Sequence, residues 1–89
     1  MAITQKKLKD TLTRQLRLRK PRFVLESLPG GKLSGNVISD SFQGLDDVDR
    51  QKRIWDALEG ALGRDCVRHV GTLLAYTDNE WDVDFEEVN

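Results

Sequence analysis

The chain is short of most residues from which protein chemistry is built: one cysteine, one histidine, one methionine, one tyrosine, two tryptophans and two prolines in 89 residues. One cysteine makes no internal disulfide and no zinc cage by itself, so a reducing compartment is expected, the cytoplasm first. One histidine, no acid and base paired at a readable spacing and no phosphate-cradling glycine loop argue against an enzyme. No apolar run approaches the roughly 18 residues of a membrane span. The opening "MAITQKKLKD" has no apolar signal-peptide stretch. Neither sign of charge dominates, the formal net charge being −1. With 38% hydrophobic and 33% charged residues, residues 1–89 are expected to form one soluble domain, monomeric alone, with a modest core and no room for an enclosed active site.

What is present is distributed unevenly. Residues 1–34 carry nine Lys or Arg against two acids, and residues 35–89 carry five against thirteen. A basic front and an acidic back offer two contact surfaces, or simply complementary faces of one domain. Residues 4–18 place Leu8, Leu12 and Leu16 four apart, as on one helix face, with Thr4 as N-cap and Pro21 beyond the end. "RFVLESL" (22–28), "PGG" (29–31) and "KLSGNVISD" (32–40) read as strand, turn and returning strand, the last loosened by Gly35. A helix over about 47–62, capped by Asp46 or Asp47, aligns Ile54, Trp55, Leu58 and Leu62, and Gly63 ends it. "VRHVGTLLAY" (67–76) reads as a third strand whose continuous apolar centre predicts burial on both sides. Residues 82–89 form an acidic tail in which Val83 and Phe85 alone can dock. The order α-β-β-α-β predicts an α+β fold: a three-stranded mixed sheet covered by two helices, the last two strands parallel through a right-handed crossover.

Three motifs in this order resemble the BolA-like proteins. They are Ser39-Asp40-Ser41-Phe42-Gln43-Gly44, then Arg50-Gln51-Lys52-Arg53-Ile54-Trp55, then the strand from His69 to Tyr76 followed by Thr77, Glu80 and Trp81. The resemblance covers about residues 3–82 and implies a fold similar to the class II KH domain. It also implies a non-enzymatic adaptor or regulator that partners a monothiol glutaredoxin and shares a [2Fe–2S] cluster with it and with glutathione. No cluster is expected on this chain alone. The chain departs from the family pattern twice. Gln51 replaces the histidine near the helix start, and the loop between the first two strands is short and has neither Cys nor His.

The resemblance assigns the strand-head histidine as a cluster ligand, and His69 is the matching position. Neutral imidazole coordinates iron through one ring nitrogen. Cys66 forms a Cys-x-x-His pair with it, a chelating spacing in a turn. In a strand, residues three apart point to opposite faces about 10 Å apart. Cys66 is therefore expected to be an inert thiol. Arg50, Lys52 and Arg53 are read either as contacts to a partner or glutathione, or as the solvated face of the second helix. The alternative function is a KH-like nucleic-acid-binding regulator, using Arg17, Arg19, Lys20 and Arg22 on phosphates. No aromatics are interleaved to stack bases, so such binding is expected to be weak and non-specific. "GALG" (60–63) has the KH loop pattern, but its centre is apolar and no second short helix is expected after it. A third alternative is an interaction module that has lost cluster binding.

Overall fold

The computed structural model describes the backbone of residues 3–87, and their side chains except those of Cys66 and 83–87. Thr4 is extended and its hydroxyl accepts the Lys7 N–H, which starts α1 (Gln5–Leu16) where the sequence predicts. The chain leaves α1 through Arg17 in a left-handed conformation (φ 52°). It then forms an antiparallel hairpin of β1 (Arg22–Leu28) and β2 (Lys32–Ile38). A short 3-10 turn (Asp40–Phe42) leads to α2 (Asp47–Leu62), capped by the Asp46 carboxylate on the Asp49 N–H and closed by Gly63. After α3 (Arg64–Val67) come β3 (Val70–Tyr76), parallel to β2, and α4 (Asp78–Glu87). The sheet order is β1-β2-β3. The predicted α+β order α-β-β-α-β is present, with α3 and α4 added to it.

Leu8 and Leu12 of α1, Ile54 and Leu58 of α2, and Val37 and Leu73 of the sheet are fully buried together. Each contributes about 1.5–3 kcal/mol by leaving water. Leu16, Trp55 and Leu62, predicted to be buried, sit half-buried at the rim of this core. The expected loosening at Gly35 shows as a register shift against β3 between Leu33 and Gly35, and toward β1 the glycine has a second role. A Cβ there would run into the Val24 carbonyl oxygen, so the missing side chain is what lets β1 lie this close.

Three predictions need correction. First, β3 is not buried on both sides: Leu73 and Ala75 are buried, while Leu74 between them is exposed. The strand alternates because α1 and α2 pack against one face only. Register lines up Val24, Asn36 and Leu74 as a row across the other, open face. Second, 82–89 is not simply a tail, since its backbone through Glu87 belongs to α4. The side chains of Val83 and Phe85, its two candidates for docking, lie outside the described residues. Register also lines up Arg22, Ile38 and Tyr76 on the open face, and α4 engages the outer two. Arg22 pairs with Asp78 and Asp82, and the Tyr76 ring meets Trp81 edge-on at 5.4 Å. Ile38, between them, is fully buried apart from the main core. Third, the final strand begins at Val70 rather than at residue 67.

Candidate ligand site at the head of the third strand

Because β2 and β3 run parallel, both begin at the same end of the sheet. The Leu33 N–H donates to the His69 carbonyl at 2.9 Å, which fixes the His69 backbone beside the start of β2. The β1–β2 turn, Pro29–Gly31, therefore closes at the same end as His69. It is tight: the Gly31 N–H reaches the Leu28 carbonyl at 3.2 Å, and Gly30 and Gly31 take φ of 86° and 80°, which suits glycine. Pro29, Gly30 and Gly31 have no metal-ligating side chain, so this turn supplies no second ligand.

His69 lies in the turn before β3 and is half-buried. Among the described residues no hydrogen bond or ion pair engages its imidazole. Also among them, no group of three or more His, Cys, Asp or Glu is placed to hold a metal ion. The described side chains thus offer a partner's metal one imidazole, not a cage.

The strand argument against Cys66 does not hold. Cys66 lies in α3 and His69 in the turn after it, so the two are not on an extended segment. The Asp65–Arg68 stretch winds because Val67 and Arg68 donate back to the Gly63 and Arg64 carbonyls. The Cys66 side chain lies outside the described residues. The same short helix corrects the reading of "GALG": a helix does follow it. Gly60 to Leu62 nevertheless remain inside α2, and only Gly63 (φ 84°) breaks the helix, so no open loop forms.

Arg50 departs from its reading as an exposed contact. It is 6% exposed. Its Nε donates to the Leu45 carbonyl at 2.8 Å and its Nη1 to the Ala75 carbonyl at 3.2 Å. The two terminal nitrogens grip Glu80 at 2.6 and 3.2 Å. Gln51, the family's histidine position, donates to the Leu73 carbonyl at 2.6 Å and accepts the Trp55 indole N–H at 3.1 Å. Arg50 and Gln51 together occupy carbonyls of the edge strand β3 and tie α2 to it. Glu80 also accepts the Thr77 N–H, while the Thr77 hydroxyl accepts the Glu80 N–H, a reciprocal capping box that starts α4. The hydrogen bonds from Arg50, then from the Thr77 backbone, hold the Glu80 carboxyl below the usual glutamate range. Of the three candidate contacts on α2, only Lys52 and Arg53 are exposed.

The basic run is divided. Arg17, Arg19 and Lys20 are exposed, while Arg22 is tied to Asp78 at 3.0 Å and to Asp82 at 3.7 Å. The backbone that carries the first three is pinned by the hydroxyls of the two serines of the first motif, a role the sequence does not show. The buried Ser39 hydroxyl donates to the Arg19 carbonyl at 2.8 Å, and Ser41 Oγ accepts the Arg19 N–H at 2.9 Å. Lys20, like Arg17, has positive φ. The Thr77-x-x-Glu80 spacing was a readable capping signal; the serine pair, 20 and more residues from its partner, was not.

No protein-family profile matches the chain, and no curated protein does. Solved structures do. A BolA protein homologue from Coxiella burnetii is 22% identical, with a TM-score of 0.67 over 90% of this chain and 97% of that one. BolA1 from Arabidopsis thaliana is 17% identical, with a TM-score of 0.64 over 84% and 92%. The BolA domain of SufE1, also from Arabidopsis thaliana, is 20% identical, with a TM-score of 0.58 over 88% and 98%. Likeness over nearly the whole of each neighbour assigns the architecture: this chain has the BolA fold.

Proposed function

We propose that the chain is a non-enzymatic BolA-like adaptor that offers His69 to a [2Fe–2S] cluster shared with a monothiol glutaredoxin and glutathione. The observation that carries this reading is the imidazole itself. It is half-buried at the head of β3, on a backbone fixed to β2, with no partner among the described residues. A histidine held in this way can bond a partner's iron without dismantling the core, because Leu73 and Ala75 further along the strand carry the packing. As a cluster ligand, imidazole in place of thiolate raises the reduction potential. The absence of a Cys or His from the β1–β2 turn leaves His69 as the ligand on which the reading depends. Lys52 and Arg53, exposed on α2, remain as contacts for the partner or for glutathione.

The test is co-expression with a monothiol glutaredoxin, followed by visible absorption and circular dichroism of the purified complex. The expected result is a spectrum distinct from that of the glutaredoxin homodimer, lost in His69→Ala while the two proteins still associate. An unchanged glutaredoxin spectrum, with no complex formed, would reject the reading.

A second reading has its own observation. Arg17, Arg19 and Lys20 are exposed on a loop held by one buried and one half-buried serine. Such a platform can bind a phosphate backbone through charge alone.

A further inference from the structure

The two edges of the sheet are finished differently. On β3, the carbonyls of Leu73 and Ala75 accept from Gln51 and Arg50, so α2 occupies part of that edge. On β1, no corresponding side chain among the described residues covers the outer edge. The backbone pattern identifies which groups it presents. Leu33 and Ser39 donate toward β3, so the odd-numbered residues of β2 face β3 and its even-numbered residues face β1. Their partners Val24, Glu26 and Arg22 bond inward, and Phe23, Leu25 and Ser27 present their N–H and C=O groups outward.

We infer that β1 is a homophilic edge: two copies of this chain pair antiparallel through β1 about a two-fold axis at Val24, joining their sheets into one of six strands. The side chains favour this register. With the axis at Val24, Arg22 faces Glu26 of the second copy and Glu26 faces its Arg22, while Val24 meets Val24. All of these lie on the open face. Arg22 is already paired with Asp78 and Asp82, and its side chain is 49% exposed, so Glu26 of the second copy would add a further carboxylate to that pairing. On the helix-covered face, Phe23 meets Leu25 and Leu25 meets Phe23. In one copy these two are only half-buried, because β1 is an edge strand of the sheet. Moving the axis to Leu25 sets Glu26 against Val24 and Arg22 against Leu28; moving it to Phe23 sets Arg22 against Val24. Pairing outward-facing Phe23 with Leu25 satisfies both ladders of hydrogen bonds. Pro21 and Pro29, just outside the strand, limit the ladder to the length of β1. A contact of this size belongs to the small, transient class. The dimer therefore forms reversibly, whatever His69 does.

Val24 tests the register with least risk to the fold, since it is 49% exposed and meets only its own copy. Sedimentation velocity on the full chain should show a dimer growing in between ~10 µM and ~1 mM, a range suited to a small interface. Val24→Lys and Val24→Glu should each weaken self-association by about tenfold or more, because like charges would sit directly opposite. An equimolar mixture of the two should regain it as a heterodimer. Far-ultraviolet circular dichroism checks that each variant is folded. A wild type that stays monomeric to ~1 mM, beyond the weak class of interface, overturns the inference. So does a dimer that survives both substitutions, or a mixture that associates no better than its components.

Discussion

The fate of each single side chain depended on what it packs against, and His69 and Gly35 mark the two extremes. His69→Ala removes a ring with no partner among the described residues, so stability should change by less than about 1 kcal/mol. A urea titration measures this beside the loss of any mixed cluster spectrum. If the ring were instead a bonded part of the fold, the loss would be about 1–3 kcal/mol from the partner left unsatisfied. Gly35→Ala should behave oppositely. At the glycine's φ of 149°, its Cβ would meet the Val24 oxygen and Leu25 Cα, both backbone atoms, and neither can step aside without parting β1 from β2. A cost of about 3 kcal/mol or more is expected by the same titration. Sequence pointed to His69 through the family resemblance. It did not show the closeness of Gly35 to β1, because a glycine in a strand looks like a weakness until the neighbouring backbone is seen. Cys66 was misplaced for a related reason: three residues of "RDCVRH" suit a strand or a helical turn equally well, and the backbone bonds to Gly63 and Arg64 decide between them.

Among the elements, α1, β1, β2 and α2 were readable because each carries a local signal. The Leu8–Leu12–Leu16 and Ile54–Leu58–Leu62 spacings marked helix faces, and Thr4, Asp46 and Gly63 marked their ends. The sequence alone did not show α4, whose polar composition resembles a tail and whose attachment runs through Glu80 to Arg50. That attachment is pH-dependent. Since the folded Glu80 carboxyl titrates below the usual glutamate range, the ionised form is the one that stabilises. Its contribution is complete above the ordinary value of about 4.3 and is lost as pH falls toward the lower, folded value. Glu80→Gln should therefore be less stable than the wild type at neutral pH, and the gap should close in acid. Thermal melts across pH 3–7, on the order of the usual glutamate range, provide the comparison. Arg50→Met goes further, leaving the Leu45 and Ala75 carbonyls without their donor. It should cost about 2–3 kcal/mol at neutral pH, measured by urea.

At the scale of the whole molecule, the charge asymmetry of the sequence becomes spatial. The basic residues of α1 and of the loop after it stand exposed, whereas Arg22 is neutralised by α4 and Arg50 is buried. Only part of the predicted basic patch is thus available to an anion. Arg17, Arg19 and Lys20 form its pinned centre, and Lys6, Lys7 and Lys9 are exposed on α1. Charge without stacking aromatics gives affinity by counterion release and little selectivity, so binding to single-stranded DNA should be weak, insensitive to sequence and steeply salt-dependent. If about three phosphates are neutralised, the slope of log affinity against log salt should be near −2, by the single-strand rule of about −0.7 per phosphate. Fluorescence anisotropy with oligonucleotides of two unrelated sequences measures both properties. Replacing Arg17, Arg19 and Lys20 together by Gln should flatten the slope, whereas Arg22→Gln should change it little because that charge is already paired. A salt-insensitive, sequence-selective complex would instead require base contacts. These three side chains have no aromatic residue interleaved among them with which to make them.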